Sequence, residues 1–293
     1  MNFAGMLAVC LRVAAPLQII NEWTAGPMLQ AQRRARIIEL LRTEHAVSMH
    51  DIVDVVGISI STARRDVDYL CEAGLLVRTH GGAMLEASGL KTLEPAPEIA
   101  LAIASREKLA IGRWAASLIQ PGHTVIFDSG TTTGAAALAA RDRNIPFTAV
   151  TNDLTIGAIL AGSGIIHTTV TGGQVRPGSA TLMGSTAVQM MGRLRADLAF
   201  VGTHALTQET LSDTSTELAD IKSTILRAAE RIILLADSGK FFSTAFCTFG
   251  RLADVHLIVT DDKLPAEHGA AIRGRGVPLE IVPSSPLDKQ VRP

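Results

Sequence analysis

Ser59-Ile60-Ser61-Thr62-Ala63-Arg64-Arg65-Asp66-Val67-Asp68-Tyr69-Leu70-Cys71 is followed by Gly74-Leu75-Leu76-Val77-Arg78 and by His80-Gly81-Gly82-Ala83. This stretch decides the fold of the amino-terminal part. Over Ser59 to Cys71, helical spacing places Ala63, Val67 and Leu70 on one face and Ser61, Arg64, Arg65 and Asp68 on the other. Two helices are predicted before it. Between Arg33 and Arg42, Ile37, Leu40 and Leu41 form an apolar stripe. Ser48-Met49-His50-Asp51 has the form of a capping box, and Ile52, Val53, Val55 and Val56 give the second helix a core face. Gly57 breaks that helix, as a turn between crossed helices requires.

A face with two Arg and short hydroxyl side chains suits DNA. Arg offers a planar fork of donors to phosphate and guanine, and Ser and Thr offer single short ones. The segment after Leu75, Leu76 and Val77 predicts a small β-wing, its paired glycines allowing a tight turn and a close approach of backbone to a phosphate. A three-helix bundle with a solvated charged face accounts for the helices alone; the wing is what separates the two readings. The expected DNA contacts are Ser59, Ser61, Thr62, Arg64, Arg65, Arg78, His80 and Gly81.

In this order and spacing, three helices and an Arg-x-His-Gly-Gly-Ala wing resemble the DeoR family of bacterial transcriptional regulators. The usual family pattern is Thr-Ile-Arg-Arg-Asp-Leu, against Thr62-Ala63-Arg64-Arg65-Asp66-Val67 here. Both departures are small apolar replacements on the core face, so they bear on packing more than on DNA contact.

The 293 residues leave room for two domains, and 47% apolar with 19% charged residues is a globular composition. A net charge of −1 argues against a chain coated in nucleic acid. It fits a small DNA-reading module carried by a neutral sensor, with affinity raised by doubling sites in a homo-oligomer, dimer or tetramer. Cys10, Cys71 and Cys247 form no Cys-x-x-Cys pair, so neither a metal site nor a disulfide framework is expected, and a reducing cytoplasm is the default. The apolar run Met6 to Ile20 is interrupted by Arg12, Pro16 and Gln18, too short and broken for a membrane span and without the basic segment of a signal peptide. Residues 1–27 are therefore read as an extension, with Met28 the favoured true start. The winged domain is expected over 28–85, a linker over 86–104 where Ser88-Gly89, Pro95 and Pro97 interrupt any periodicity, a sensor domain over 105–284 and a tail over 285–293.

From Ser105 onward, helix and strand patterns alternate. Leu109, Ile111, Ala115 and Leu118 suit a helix, and an Ala-rich helix follows from Gly134. Strands are predicted at Thr124–Phe127, Phe147–Val150, Ile165–Val170, Ala199–Val201, Ile232–Leu235, Leu257–Val259 and Leu279–Val282. The fold class is thus α/β: a small winged helix-turn-helix, then a larger, mostly parallel sheet with helices on both faces.

Polar residues gather just past the predicted strand ends, where such sheets bind ligands. The hydroxyl-rich loop Asp128-Ser129-Gly130-Thr131-Thr132-Thr133 enters a helix and offers donors to a phosphate. Thr151-Asn152, Thr171-Gly172-Gly173 and Asp237-Ser238-Gly239-Lys240 end other strands, and Lys222 lies on the helix before the last of these. Singly, each has an ordinary structural explanation: caps, turns, a surface ion pair. Their joint position at one sheet edge is what points to a site.

This half resembles the DeoR-family sensor domain over most of Ser105 to Asp261. The matching pieces are Asp128 to Thr132, Thr151-Asn152, Gly172-Gly173, Asp197 to Gly202, Lys222 and Asp237 to Phe241. Gly239 stands where the family often has Ser, which predicts a looser Lys240. The resemblance implies a domain like sugar-phosphate isomerases and deaminases that binds phosphorylated sugars or related metabolites. Effector contacts are then expected from Asp128, Ser129, Gly130, Thr131, Thr132, Thr133, Thr151, Asn152, Gly172, Gly173, Lys222, Asp237 and Lys240, with Lys222 and Lys240 as charge partners. The reading is a non-enzymatic repressor of a sugar or related carbon catabolism operon, partnered by an operator duplex and a phosphorylated effector, with no cofactor and no membrane. The alternative is a sugar-phosphate isomerase or deaminase with an accessory DNA-binding domain. Proton transfer needs a poised carboxylate or His. Asp128 and Asp237 are candidates, but no second acid or Glu-His pair is evident, and His167 and His204 do not supply one.

Overall fold

The computed structural model describes residues 28–86 and 89–285. The expectations for residues 1–27, for Ser88 and for the tail beyond Ser285 lie outside the described residues. The chain divides into two compact units, with the boundary after Ser105.

In the first unit, α1 (Gln30–Glu44), α2 (Met49–Val56) and α3 (Ile60–Glu72) surround a core containing Ile37, Leu41, Ile52, Ala63, Val67 and Leu70. The Ser48–Asp51 capping box opens α2, and Gly57 ends it in the left-handed region at φ 72°. Val55, predicted to face the core, is 44% exposed; Met49, Ile52 and Val56 bury one side of the two-turn helix. The wing is the hairpin β2 (Leu76–Thr79) and β3 (Gly82–Leu85), and β1 (Ala46–Ser48) pairs with β3 to complete a three-stranded sheet.

The segment read as a linker is not a plain tether. Pro97 occupies the first turn of α4 (Pro97–Ala102), where its missing N–H costs nothing. Ile99 and Ile103 are buried in the first unit's core, and the Ala104 N–H donates to Glu39 at 2.7 Å.

The second unit opens with α5 (Ser105–Ser117). Its chain then runs β4 (Thr124–Phe127), α6 (Thr131–Asp142), β5 (Thr148–Thr151), α7 (Leu154–Ala161), β6 (His167–Val170), the short hairpin β7 (Gln174–Val175) and β8 (Leu182–Met183), and α8 (Ser185–Gly192). It continues through β9 (Ala196–Gly202), β10 (Ala205–Leu206), β11 (Thr210–Asp213), α9 (Thr216–Ile225), β12 (Ala229–Leu235), β13 (Cys247–Arg251), β14 (Leu257–Asp261), α10 (Ala266–Arg273) and β15 (Leu279–Val282). Seven strands form one parallel sheet in the order β15-β14-β12-β9-β4-β5-β6. Alternate residues bury on opposite faces. Ile126, Ala199 and Ile232 pack with α8 and α9 residues such as Met191 and Ile225, whereas Phe127, Phe200 and Ile233 pack with α5, α6 and α7 residues such as Ile111, Ala136 and Ile156.

From central β4 the chain builds outward through β5 and β6, returns to β9 on the other side, and builds outward again. The order therefore reverses between β4 and β9, and a doubly wound sheet opens a crevice at that point. A second, three-stranded antiparallel sheet, β10-β11-β13, was not legible as strands in the sequence. Its strands are short and its residues carry little alternation.

Candidate functional site: a basic helix face and a strand-end cluster

On the first unit, Ser59 caps α3: its hydroxyl oxygen accepts from the Thr62 N–H at 3.3 Å and lies 3.0 Å from the Ser61 and 2.9 Å from the Thr62 hydroxyl. Arg64 and Arg65 are exposed, opposite the fully buried Ala63, Val67 and Leu70, and Arg65 Nε donates to the Ser61 carbonyl at 3.3 Å. The motif's Asp66 points the other way. It is 1% exposed and accepts from Arg33 Nε at 2.8 Å and Arg34 Nε at 3.0 Å, while the Arg34 guanidinium lies 3.5 Å above the Tyr69 ring. A buried carboxylate so held fixes the pitch of α3 on α1.

The wing corrects one expectation and adds an ion pair. Gly81, at φ 94°, supplies the tight turn, but Gly82's close approach is to protein rather than to a phosphate: a Cβ there would lie 2.1 Å from the Val47 carbonyl oxygen. Arg78 is engaged, its Nη1 lying 2.6 Å from the Asp68 carboxylate on α3. His80 and Gly81 are exposed at the wing tip.

In the second unit, the three threonines predicted as loop form the first turn of α6. Gly130 at φ 126° is the residue before it, and Thr133 Oγ1 donates to the Gly130 carbonyl at 2.9 Å. The first N–H groups of a helix have no acceptor within it, and the dipole there is positive. Ser129 is buried, and Thr131 and Thr132 are half-buried.

Asp128 ends β4 at the sheet's reversal point and is fully buried. Its Oδ2 accepts from the Lys222 ammonium and, at 3.1 Å, from the Gly202 N–H at the end of β9. Lys222 Nζ also donates to the Gly202 carbonyl at 3.0 Å and stands 3.5 Å from Asp213 Oδ2. Burial pushes the Asp128 carboxyl above the ordinary aspartate range, against the opposing pull of Lys222 and the Gly202 N–H. Three protein acceptors thus surround the three N–H bonds of Lys222, the residue expected as a charge partner for a phosphate. Counted as ionised, Asp213, Lys222 and Asp128 sum to one negative charge in a buried place. Asp213, at the end of β11, is the second acid that the sequence did not reveal, because only the antiparallel sheet brings it there. Gly202 was legible as the end of a matched piece but carried no signal of this contact.

Asn152 and Thr171 follow β5 and β6 as Asp128 follows β4. Phe127, Thr151 and Val170 are register partners, so the next residues stand side by side. Asp128 Oδ1, Asn152 Oδ1 and Thr171 Oγ1 are all buried without a hydrogen-bond partner. An unsatisfied buried polar atom costs about 1–3 kcal/mol, so three in one row need a reason.

Thr151 and the glycines have structural duties. Thr151 Oγ1 accepts from the Asp153 N–H at 3.1 Å, and Gly173, at φ 125°, sits where a Cβ would come 2.4 Å from the Met183 carbonyl oxygen. A Cβ on Gly172 would meet the Thr186 side chain at 3.0 Å. Asp237 and Lys240 lie beyond β12, two strands from β4, a spacing of about 10 Å. Asp237 Oδ1 accepts from the Gly239 N–H at 3.2 Å, and neighbouring Asp261 accepts from the Ser238 N–H at 2.7 Å and the Ser238 hydroxyl at 2.9 Å. Among the described residues no helix is long and apolar enough to cross a membrane.

Family comparison places both halves. Residues 33–88 match the DeoR-like helix-turn-helix domain, and residues 103–262 match the DeoR C terminal sensor domain. The chain belongs to the DeoR family. As a DeoR-family member it is a DNA-binding transcriptional regulator with a sensor domain. A putative aga operon transcriptional repressor of Escherichia coli O157:H7 is 31% identical over 86% of this chain and 94% of that protein. The lactose phosphotransferase system repressor of Lactococcus lactis is 33% identical over 82% and 94% respectively. The HTH-type transcriptional repressor GlcR of Bacillus subtilis is 30% identical over 81% and 90%. Among solved structures, ribose 5 phosphate isomerase A of Neisseria gonorrhoeae is a remote likeness: 13% identity, TM-score 0.36, covering 46% of this chain and 53% of that one.

Proposed function

We propose that this DeoR-family chain represses a carbohydrate operon and leaves its operator when a phosphorylated metabolite binds the sensor domain. The carrying observation is the sheet's reversal point between β4 and β9, where the first turn of α6 and the Asp128 row meet. The relatives named as repressors of aga and lactose phosphotransferase functions support the carbohydrate reading. The dianion is proposed to sit at the α6 turn, Gly130 to Thr133, with Lys240 as its cation and Gly172 and Gly173 as further contacts. Ser59, Ser61, Thr62, Arg64, Arg65, Arg78, His80 and Gly81 face DNA, and two or more copies read an operator in the cytoplasm. Coupling requires an effector that binds the DNA-free arrangement more tightly than the bound one.

The protein is not proposed as an enzyme. The relatives named as transcriptional repressors support the non-enzymatic reading. The test is titration of an operator complex, on DNA selected from a random pool, with pentose and hexose phosphates and with the same sugars unphosphorylated. Release by the phosphorylated form only, lost in Thr131→Ala and Lys240→Ala proteins that still bind DNA, is expected. Equal release by both forms overturns the reading, and turnover of any compound revives the isomerase or deaminase alternative.

A further inference from the structure

Asp128, Asn152 and Thr171 form one row across β4, β5 and β6, a single residue beyond the last register partners. Their side chains extend from the face that carries α8 and α9, since Ile126 and Val150, two residues earlier, pack on that face. Adjacent members stand about 5 Å apart, the strand spacing. The unpartnered atoms are a carboxylate oxygen, an amide oxygen and a hydroxyl. Two of these only accept hydrogen bonds, and the third both accepts and donates.

The charge beside the row excludes a phosphate there. Asp128 and Asp213 bracket a single Lys222, so the buried cluster is net negative. A dianion placed against it meets repulsion in a medium that screens poorly. A neutral group with N–H or O–H bonds meets three acceptors. Asn152 is also held by the β7–β8 hairpin: the Leu182 N–H donates to the Asn152 carbonyl at 2.7 Å, and Asn152 Nδ2 donates to the Leu182 carbonyl at 3.4 Å. That hairpin lies between Gly173 at φ 125° and Gly184 at φ 88°.

We infer that the row is a hydroxyl-selecting subsite, which takes the carbon chain of the effector by hydrogen bonds from hydroxyl groups on neighbouring carbons and leaves the phosphate outside it. This rests on the phosphorylated-effector reading above and adds an orientation and a specificity rule. Compounds lacking hydroxyls at the row lose affinity, because the acceptors stay unpaired in the complex.

Thr171→Val separates this from a structural role. The substitution replaces an unpartnered buried hydroxyl by a methyl of the same shape, which leaves the folded protein as stable or more so. The full chain, a Thr171→Val variant and a Thr171→Ser variant are compared by thermal shift and titration calorimetry. The probes are pentose 5-phosphates, hexose 6-phosphates, their open-chain polyol phosphates, and inorganic phosphate, which carries the anion without the chain. The expected result is a sugar or polyol phosphate that binds more tightly than inorganic phosphate. Thr171→Val weakens it about five- to tenfold with no change for inorganic phosphate, and Thr171→Ser restores it. Unchanged sugar-phosphate affinity in Thr171→Val overturns the subsite and leaves the effector reading standing. A lowered melting temperature without ligand assigns Thr171 to structure and also overturns it. If no phosphorylated probe binds the parent chain, both readings fall.

Discussion

Each unit of this chain sets buried aspartate against basic side chains, and the two clusters end differently. Asp66 gives one oxygen to Arg33 and the other to Arg34, so both are used and the cluster is net positive. Asp128 gives Oδ2 to Lys222 and Gly202, keeps Oδ1 without a partner, and shares its cation with Asp213. The first cluster leaves neither carboxylate oxygen without a partner and serves as a fastener for α3. The unsaturated one stands at a sheet reversal point with bonding capacity left over, which suits a ligand. Buried charge alone does not mark a site; here the two clusters differ in whether a carboxylate oxygen is left without a partner.

Breaking the cations tests this difference most severely. Lys222→Met leaves two buried carboxylates without their ammonium and should cost about 3–5 kcal/mol by urea unfolding of the sensor unit. Asp66→Asn strands two partly exposed guanidinium groups and should cost less, about 2–3 kcal/mol, with the loss confined to the winged unit. Equal losses, or none at Lys222, would remove the asymmetry drawn above.

The exposed arginines should matter to DNA and not to folding. Arg64→Ala and Arg65→Ala should each weaken binding to a selected operator by about 1–3 kcal/mol and reduce its salt slope by about one. Their unfolding midpoints should stay within about 0.5 kcal/mol of the parent. Undiminished affinity in both variants refutes the assignment of this helix face.

A smaller effect is expected at the wing. Arg78 is held by Asp68 in a half-exposed pair, of a kind worth about 0.2–1 kcal/mol. Asp68→Asn frees Arg78 for phosphate and should tighten DNA binding by up to about fivefold, and the gain should vanish in an Arg78→Ala background. Gel-shift titrations at two salt concentrations measure both; weaker binding in Asp68→Asn would make the pair a positioning contact.

The smallest effect concerns pH. Burial holds the Asp153 carboxyl above its ordinary range, despite the Ile156 and Thr155 N–H groups it caps. The folded chain therefore binds this proton more tightly than the unfolded chain. Stability contributed by the carboxyl is present in acid and declines as pH rises through the raised folded value. Asp153→Asn keeps the cap and removes the titration. Its advantage over the parent should be present at neutral pH and narrow in mild acid, as followed by melting temperature. A gap that widens on acidification contradicts the shift.

Local patterns carried much of this protein. The Ser48–Asp51 cap, Gly57, the Ala63-Val67-Leu70 stripe, the wing and the seven parallel strands are each written in neighbouring residues, because helix and strand periods are properties of a short segment. The sequence also brought Asp128, Asn152 and Thr171 to strand ends. It did not reveal that Asp66 faces inward, that Pro97 opens a helix packed on the winged unit, or that Lys222 is enclosed by Asp128 and Asp213. Those depend on partners 33, 32 and 94 residues away in sequence for the Arg33, Arg34 and Lys222 bonds. Spacing determines which face a residue occupies. Only the packed structure decides what meets it there, and whether its hydrogen bonds are already spent.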